Sequence, residues 1–387
     1  MSETADKRNR KIRIAIDTTY MDRRPAMGTA IWIRQTVIEL LPYRSEFDIT
    51  LIHREKIPED PLYSEFKEVI IPRIRLPKYA SFFSELFFFL TTRTRYDIYY
   101  FAYSRIYPFF WLAPATKIVF AAMDGGPQTA GYGAYKNTKV PWYVRLFLYK
   151  VDMFIGLTDF GSSGISEAYR VPRDRIRTIY CGMNDKFHSV EQRTESPERV
   201  LAKYNITAPY VLSVSRFDPH KNILGTINGF KKFIDSTDAP HILVLVGTRH
   251  MKDYSEQIDS LIAELGLSER VKIVPFVDDE DLPVVYQAAT FFVFPSFYEG
   301  FGMPAVEAMA CGTPVLVSDR ASLPEVIGGI GEIADPYDAD SIAAGMIKLL
   351  DPQYRERLSR LGKEHVRTFR WSETARKLVD VFRSVAQ

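Results

Sequence analysis

The chain has 387 residues, 46% of them hydrophobic, and a net charge of +2, which is enough for two hydrophobic cores and too long for one ordinary domain. Its two cysteines, Cys181 and Cys311, are far apart and lack metal-ligand spacing, which excludes a disulfide framework and a cysteine-based zinc site. Charge is unevenly placed: residues 1–190 hold 28 Lys and Arg against 20 Asp and Glu, and the remainder 22 against 28. The first half therefore either meets an anionic surface or acidic substrate or is simply a basic solvated face. The start, MSETADKRNRK, lacks the apolar core of a signal peptide, and no apolar run reaches about 18 residues. The expected location is the cytoplasm, with the inner face of the cell membrane as its refinement.

Ile12–Asp17 (IRIAID) reads as a buried first strand, followed by a loop with one glycine, Gly28, and a helix from about Thr29 to Leu41. This is a Rossmann-like opening. Phe47–His53, Ile98–Phe101, Ile118–Ala121 and Met153–Leu157 read as further strands separated by helix-length segments. Between them, Pro72–Phe110 interleaves aromatic and basic residues in PRIRLPK, SFFSELFFFL and YDIYYFAYSRIYPFFW. Three readings stand. Aromatics can enter a lipid headgroup layer while Arg73, Arg75, Lys78, Arg93 and Arg95 meet phosphates. Stacking on nucleic acid uses the same residue types, but no nucleic-acid module is present and that partner is not expected. Phe83, Leu86, Phe87 and Leu90 also recur at helical spacing, as the inner face of a packed helix would.

At Val119–Pro127 a strand ends in Asp124 and Gly125. Asp124 is either a ligand-side residue or an ordinary turn residue. Thr158 or Asp159 caps the next helix, and the polar stretch 189–199 (SVEQRTESPER) reads as an interdomain linker.

Tyr210–Ser215 opens the second half as a strand, and Arg216 and Lys221 follow its end, where both can converge on an anion. His220 between them reads as a surface loop residue. His241–Gly247 is the next buried strand, with Gly247 and Thr248 at its end, and Phe276 and Val277 follow another at Val271. The acids Asp278, Asp279, Glu280 and Asp281 precede a helical segment, Leu282–Ala288, and read as complements to its dipole rather than as a metal site.

The run FPSFYEGFGMPAVEAMACGTP, Phe294–Pro314, places a glycine-bearing loop between a strand and a helix, at the carboxyl end of a parallel strand. Ligands of open α/β sheets bind there. Pro304 suits the first turn of the helix, Gly300 and Gly302 let backbone amides approach a ligand, and amides at a helix N-terminus hold phosphate. Glu299 lies on this loop and Glu307 inside the helix, with seven residues between them. Two such glutamates can also do no more than complement the helix dipole. Helical patterns at Ala339–Leu350, Gln353–Thr368 and Trp371–Val385 complete the chain.

PSFYEGFGMPAVEAMACGTPV resembles the signature of the retaining glycosyltransferases of family 4, with its E-x7-E motif, and the phrase from Ser215 to Asn222 resembles the family's G-R-x-x-x-x-K-N. The resemblance implies an α/β, GT-B fold: two Rossmann-like domains facing across a cleft. Residues 1–190 would bind acceptor and 191–370 donor, with a last helix, 371–387, crossing back. It implies catalytic roles for Glu299, Arg216 and Lys221. Donor contacts would come from Glu307, Gly300, Phe301, Gly302, Met303, Pro304, Ala305, Gly247, Thr248, Phe276 and Val277. Gly28, Asp124 and Gly125 would belong to the acceptor side. The chain departs from the pattern at Met123, where the family commonly has His, and at Ser215, where it has Gly.

The implied donor is a nucleotide-diphospho-sugar, and no metal or other cofactor is expected. SFYEGFGMP and SLPEV resemble members that build O-antigen or exopolysaccharide, many using GDP-mannose, with a glycan or lipid-linked saccharide as acceptor. UDP- and dTDP-sugars remain open, as do a nucleotide-sugar epimerase and a silent nucleotide-sugar-binding subunit. The last would be expected to lose Glu299, Arg216 or Lys221, and all three are present.

Overall fold

The computed structural model describes residues 10–21, 28–55, 61–72, 80–103, 109–123, 142–189 and 196–387. They divide into two units, one holding the described residues up to Gly182 together with Trp371–Gln387, the other Met183–Arg370.

The first unit is built on seven parallel strands: β1 Ile12–Asp17, β2 Phe47–His53, β3 Lys67–Ile70, β4 Tyr96–Tyr103, β5 Ala115–Ala122, β6 Met153–Gly156 and β7 Ile176–Thr178, in the order β3-β2-β1-β4-β5-β6-β7. Strand β4 shows why YDIYYFAY is a strand. Its period-2 alternation sends Tyr99 and Phe101 to one face, ring on ring at 4.5 Å, and Tyr100 to the other. There the Tyr100 hydroxyl accepts a hydrogen bond from Trp32 Nε1 at 2.9 Å, and Phe382 packs on its ring. Phe382 lies on the last helix, Trp371–Ala386, whose Trp371, Thr374, Ala375, Leu378, Phe382 and Val385 make one buried stripe. Bidentate pairing of Arg383 with Glu46, at 2.7 and 2.8 Å, holds that helix at its far end.

The aromatic segment Pro72–Phe110 thus divides. Its strand is core, but its helix, Ala80–Thr91, turns Ser84, Glu85, Phe88 and Phe89 inward and leaves Phe83, Phe87 and Leu90 exposed. The stripe expected from helical spacing is the outer face. A helix that is apolar nearly all round has no polar side to say which way it points, and here the ion pair between Glu85 and Arg54 lies on the buried side. Arg73, Arg75 and Lys78 lie outside the described residues.

The second unit has six parallel strands: β8 Tyr210–Val214, β9 Ile242–Val246, β10 Val271–Val274, β11 Phe291–Phe294, β12 Val315–Ser318 and β13 Glu332–Ala334, in the order β10-β9-β8-β11-β12-β13. Chain order reverses between β8 and β11, which makes the carboxyl ends of those two strands the switch point of the sheet. The short strands β3 and β13, both at sheet edges, carry no sequence pattern that announces them. Thr158 caps its helix as expected, its Oγ1 accepting from Gly161 N at 2.9 Å. Within the stretch read as a linker, a helix already starts at Pro197, capped by Ser196. Met183 N–H donates to Phe369 O at 2.9 Å, so the chain enters and leaves the second unit side by side.

Gly182 abuts the final helix, and a Cβ there would stand 2.3 Å from the backbone nitrogen of Trp371. Backbone cannot give way as a flexible side chain can. Gly182→Ala should cost about 1–3 kcal/mol, read as a lower denaturant midpoint for the first unit; an unchanged midpoint would show that the helix is not seated against this position.

Candidate active site

At the switch point the loop after β8 meets the loop after β11. Lys221 Nζ donates to both carboxylate oxygens of Glu299, at 2.7 and 2.8 Å, and lies 5.3 Å from the centre of the Phe294 ring. Both side chains are largely buried, at 16% and 10% exposure, so the pair is shielded from the screening that weakens surface ion pairs. Seventy-eight residues separate them in sequence.

Asn222 ties the loops together. Left-handed at φ 55°, it accepts from Gly225 N at 3.1 Å and so caps the helix Ile223–Thr237. Its Nδ2 donates to Pro295 O at 3.0 Å and to Pro336 O at 2.7 Å, on the loops after β11 and β13. Phe297 N adds a bond to His220 O at 2.8 Å. His220 is therefore not a simple surface residue: it is half-buried, and burial together with the neighbouring Lys221 charge holds its imidazole below the usual histidine range. Ser322, fully buried, anchors the Glu299 loop from the other side by donating to Glu299 O at 2.9 Å and Phe301 O at 3.1 Å.

The loop then enters the helix Met303–Ala310 through Gly302 at φ 99°, where a Cβ would also strike Leu323 Cδ2. Not every amide expected here faces outward. Ala305 N is turned onto Gly302 O at 3.0 Å, Pro304 has no N–H, and Phe301 is buried against Phe369. Phe301 and Ala305 are packing residues in this arrangement. Gly302 and Met303 stand at the helix start, with Gly300 on the loop before it.

Arg216 does not join Lys221. Its guanidinium engages Asp218, Nε at 2.6 Å from Oδ2, and His250 Nε2 reaches the other oxygen of Asp218 at 3.0 Å. Gly247 ends β9 with φ 154°, and a Cβ there would lie 1.7 Å from Ser215 O, so no larger residue fits. Thr248 beside it is exposed, and its carbonyl accepts from Phe217 N at 3.1 Å. Past β10, Phe276 is exposed and Val277 buried.

Glu307 is held by a different set of groups. The buried Tyr286 hydroxyl donates to its Oε2 at 3.0 Å, and Lys186 approaches while paired with Asp279. Desolvation raises the Glu307 carboxyl to about 7; the Tyr286 hydrogen bond and the Lys186 charge pull it down, and the Asp279 charge pushes it up. The acidic cluster precedes the helix Leu282–Gln287, and the side chains of Asp279 and Asp281 are engaged elsewhere. Asp281 forms no side-chain cap bond and instead accepts from Tyr204 Oη at 2.7 Å, with Lys203 beside it, while Asp279 goes to Lys186.

In the first unit, Gly28 starts a helix and nothing lies within 4 Å of where its Cβ would be, so no close approach there demands glycine. Asp124 and Gly125 lie outside the described residues. Asn222, Ser322, Tyr286 and Lys186 escaped the sequence reading. Asn222 and Ser322 stand inside the quoted phrases, whereas Tyr286 and Lys186 sit in segments with no signature.

Residues 198–365 match the family model described as Glycosyl transferases group 1. The match lies within the second unit and spans most of it. Among relatives, O-antigen chain mannosyltransferase B of Escherichia coli is 33% identical over 234 residues, covering 60% of this chain and 60% of that protein. Serotype-specific mannosyltransferase WbdA of Escherichia coli is 30% identical over 245 residues, covering 62% of this chain and 29% of that protein. The chain thus spans less than two thirds of either relative. Among solved structures, sucrose-phosphate synthase from Thermosynechococcus elongatus superposes with a TM-score of 0.73 at 23% identity, covering 97% of this chain and 99% of that one. The two Rossmann-like units are those of the GT-B fold.

Two outcomes follow. Asn222→Ala leaves two buried carbonyls without a donor and removes a helix cap, and should cost about 2–4 kcal/mol, seen as a lower melting temperature of the second unit; a change below about 0.5 kcal/mol would deny Asn222 its place as the tie between loops. Because the folded protein holds the Glu307 proton up to about pH 7, it binds more protons than the unfolded chain between about pH 4.5 and 7, and Glu307 contributes stability that falls as pH rises through that window. The melting temperature of Glu307→Gln relative to the parent should therefore climb from about pH 5 to about pH 8; a difference independent of pH would show the carboxyl to be unperturbed.

Proposed function

We propose that the protein is a retaining glycosyltransferase that moves a hexose from a nucleotide-diphospho-sugar to a glycan or lipid-linked saccharide in cell-surface polysaccharide synthesis. The observation that carries the reading is the shielded Lys221–Glu299 pair at the switch point, beside the start of the helix Met303–Ala310. An anion entering this point competes for Lys221 with Glu299, so binding of a diphosphate draws the ammonium toward the leaving group and releases the carboxylate toward the sugar. Lys221 and the amides at Gly302 and Met303 offset the charge that grows on the departing diphosphate. Glu299 faces the positive charge that develops on the sugar carbon. Glu307, with one oxygen held by Tyr286, offers the other to ribose hydroxyls, and the exposed Phe276 offers its ring to the base.

The C–O bond from sugar to diphosphate breaks as the acceptor oxygen bonds to the same carbon from the same face, and the acceptor's proton passes to the departing phosphate. No protein base is needed, and no step is routed through a metal. Arg216, at present engaged by Asp218, would reach the diphosphate only by leaving that carboxylate. Mannose as the sugar is favoured by the two mannosyltransferase relatives, and GDP as its carrier by the wording of the glycine loop; a UDP- or dTDP-sugar is the alternative. An acceptor of this class supports a location in the cytoplasm, at the inner face of the cell membrane.

The test is a calorimetric panel of GDP-mannose, UDP-glucose, UDP-N-acetylglucosamine and dTDP-rhamnose, followed by a slow-hydrolysis assay with the best binder. GDP-mannose should bind and release mannose with its anomeric configuration kept. Glu299→Gln should lower turnover about 10²–10³-fold while nucleotide affinity changes by no more than a few-fold, and Lys221→Ala should weaken donor binding about 10–100-fold. Undiminished turnover in Glu299→Gln would remove the carboxylate from the mechanism. An epimerised nucleotide-sugar as product, or binding without any turnover, would replace transfer with epimerisation or with a silent binding subunit.

A further inference from the structure

We propose that the outer surface of one helical layer of the first unit docks on an anionic lipid bilayer. The helix Ala80–Thr91 connects β3 to β4, and the segment Trp142–Lys150, a helix ending in a 3-10 turn, connects β5 to β6. Both connections run the same way along the sheet, and right-handed crossovers in the same direction put their helices on the same face. The packing agrees: Phe88 and Phe89 of the first helix share one buried cluster with Val144 and Leu148 of the second segment. Phe110–Leu112 bridges the two. It contacts the first helix, and Trp111 stacks on Phe147 with ring centres 4.0 Å apart and planes 13° from parallel.

The outward sides of these two neighbours are apolar. Phe83, Phe87 and Leu90 are exposed on the first and Trp142, Leu146 and Tyr149 on the second, with Leu90 at 66% and Trp142 at 74%. Surface apolar residues scattered singly need no explanation, but six large ones on adjoining helices mark an interaction surface. Their chemistry selects the partner. Trp and Tyr beside aliphatic and Phe side chains is the mixture that settles at a headgroup boundary. Arg93 and Arg95 follow the first helix, and Arg145 and Lys150 lie in the second segment. The single acid of either segment, Glu85, is turned inward to Arg54. Arg93, Arg95 and Lys150 are exposed, and the acids next to them in the chain, Asp97 and Asp152, are engaged by Arg10 and Arg13 and by Lys117, a charge balance that suits lipid phosphate. A second copy of the chain is a poorer occupant, because a symmetric contact would set these cations against themselves. Among the described residues no helix is long and apolar enough to cross a membrane, so the contact is one of lying on the surface.

Docking does not depend on the transferase reading, since it is measured without any sugar. The full chain would be co-sedimented with vesicles of phosphatidylcholine alone and of phosphatidylcholine with about a quarter phosphatidylglycerol. Binding to the anionic vesicles should be at least about tenfold tighter, should weaken as salt is raised, and should shift Trp142 emission to the blue. The triple variant Phe87→Ser, Leu90→Ser, Trp142→Ser changes only exposed positions. It should keep its melting temperature and lose at least about tenfold in vesicle affinity. Arg93→Gln with Arg95→Gln and Lys150→Gln should erase the anionic preference. Equal binding by the apolar triple variant and the parent would overturn the proposal, as would failure to bind any vesicle. Failure accompanied by concentration-dependent dimerisation that the triple variant abolishes would assign the face to a second copy instead.

Discussion

Strands β8 and β11 lie side by side, yet the chain that follows β8 turns back toward β9 and the chain that follows β11 goes on to β12. Right-handed crossovers then send the two following helices to opposite faces of the sheet, and the loops leading into them part above the strand ends. Such a gap would strand backbone polar groups if left open. Asn222 meets this constraint by bonding to the loops after β11 and β13 while capping the helix of its own loop. Lys221 is its immediate neighbour and Glu299 lies four residues past Pro295, so the side chain that closes the gap also brings the ion pair together.

The two glutamates of the glycine loop and helix have different surroundings, and the difference follows from what each is paired with. Glu299 faces an ammonium that satisfies both of its oxygens. Glu307 faces a phenol, with a lysine that is itself shared with Asp279, and the balance leaves its carboxyl near neutrality. A carboxylate whose burial is not fully compensated by partners holds its proton to higher pH. The geometry thus gives two residues of the same type different partners, an ammonium for Glu299 and a phenol for Glu307.

The first unit carries its own division of labour in one aromatic segment. Alternate residues of YDIYYFAY fill both faces of the sheet, where Trp32 and Phe382 meet Tyr100 on one side and Tyr99 and Phe101 stack on the other. The helix before it is equally aromatic and yet half of it faces outward. Apolar content alone cannot distinguish these cases. Partners can: the strand is covered by helices on both sides, and the helix by the sheet on only one.

Much of the fold was legible from periodicity and punctuation. Buried runs such as IRIAID and HILVLVG read as strands of a covered parallel sheet, and the strand–glycine–helix passage around Glu299 as a strand end of the kind at which ligands of open α/β sheets bind. The resemblance carried by SFYEGFGMP and by the phrase around Lys221 extended that to a family. What the sequence left undecided were matters of direction and distance. Helical spacing marked Phe83, Phe87 and Leu90 as one stripe but could not say which side of the helix was in, because its other side is apolar too. Arg216 and Lys221 were equally good cations for an anion, and only the fold shows Asp218 engaging the first while Glu299 engages the second. Tyr286 and Lys186 left no trace in the sequence as partners of Glu307, since nothing local links residues brought together by a sheet. Composition, periodicity and turn chemistry act over a few neighbours and are therefore written in the chain; the pairing of charges across loops depends on strand order, which only the tertiary structure decides.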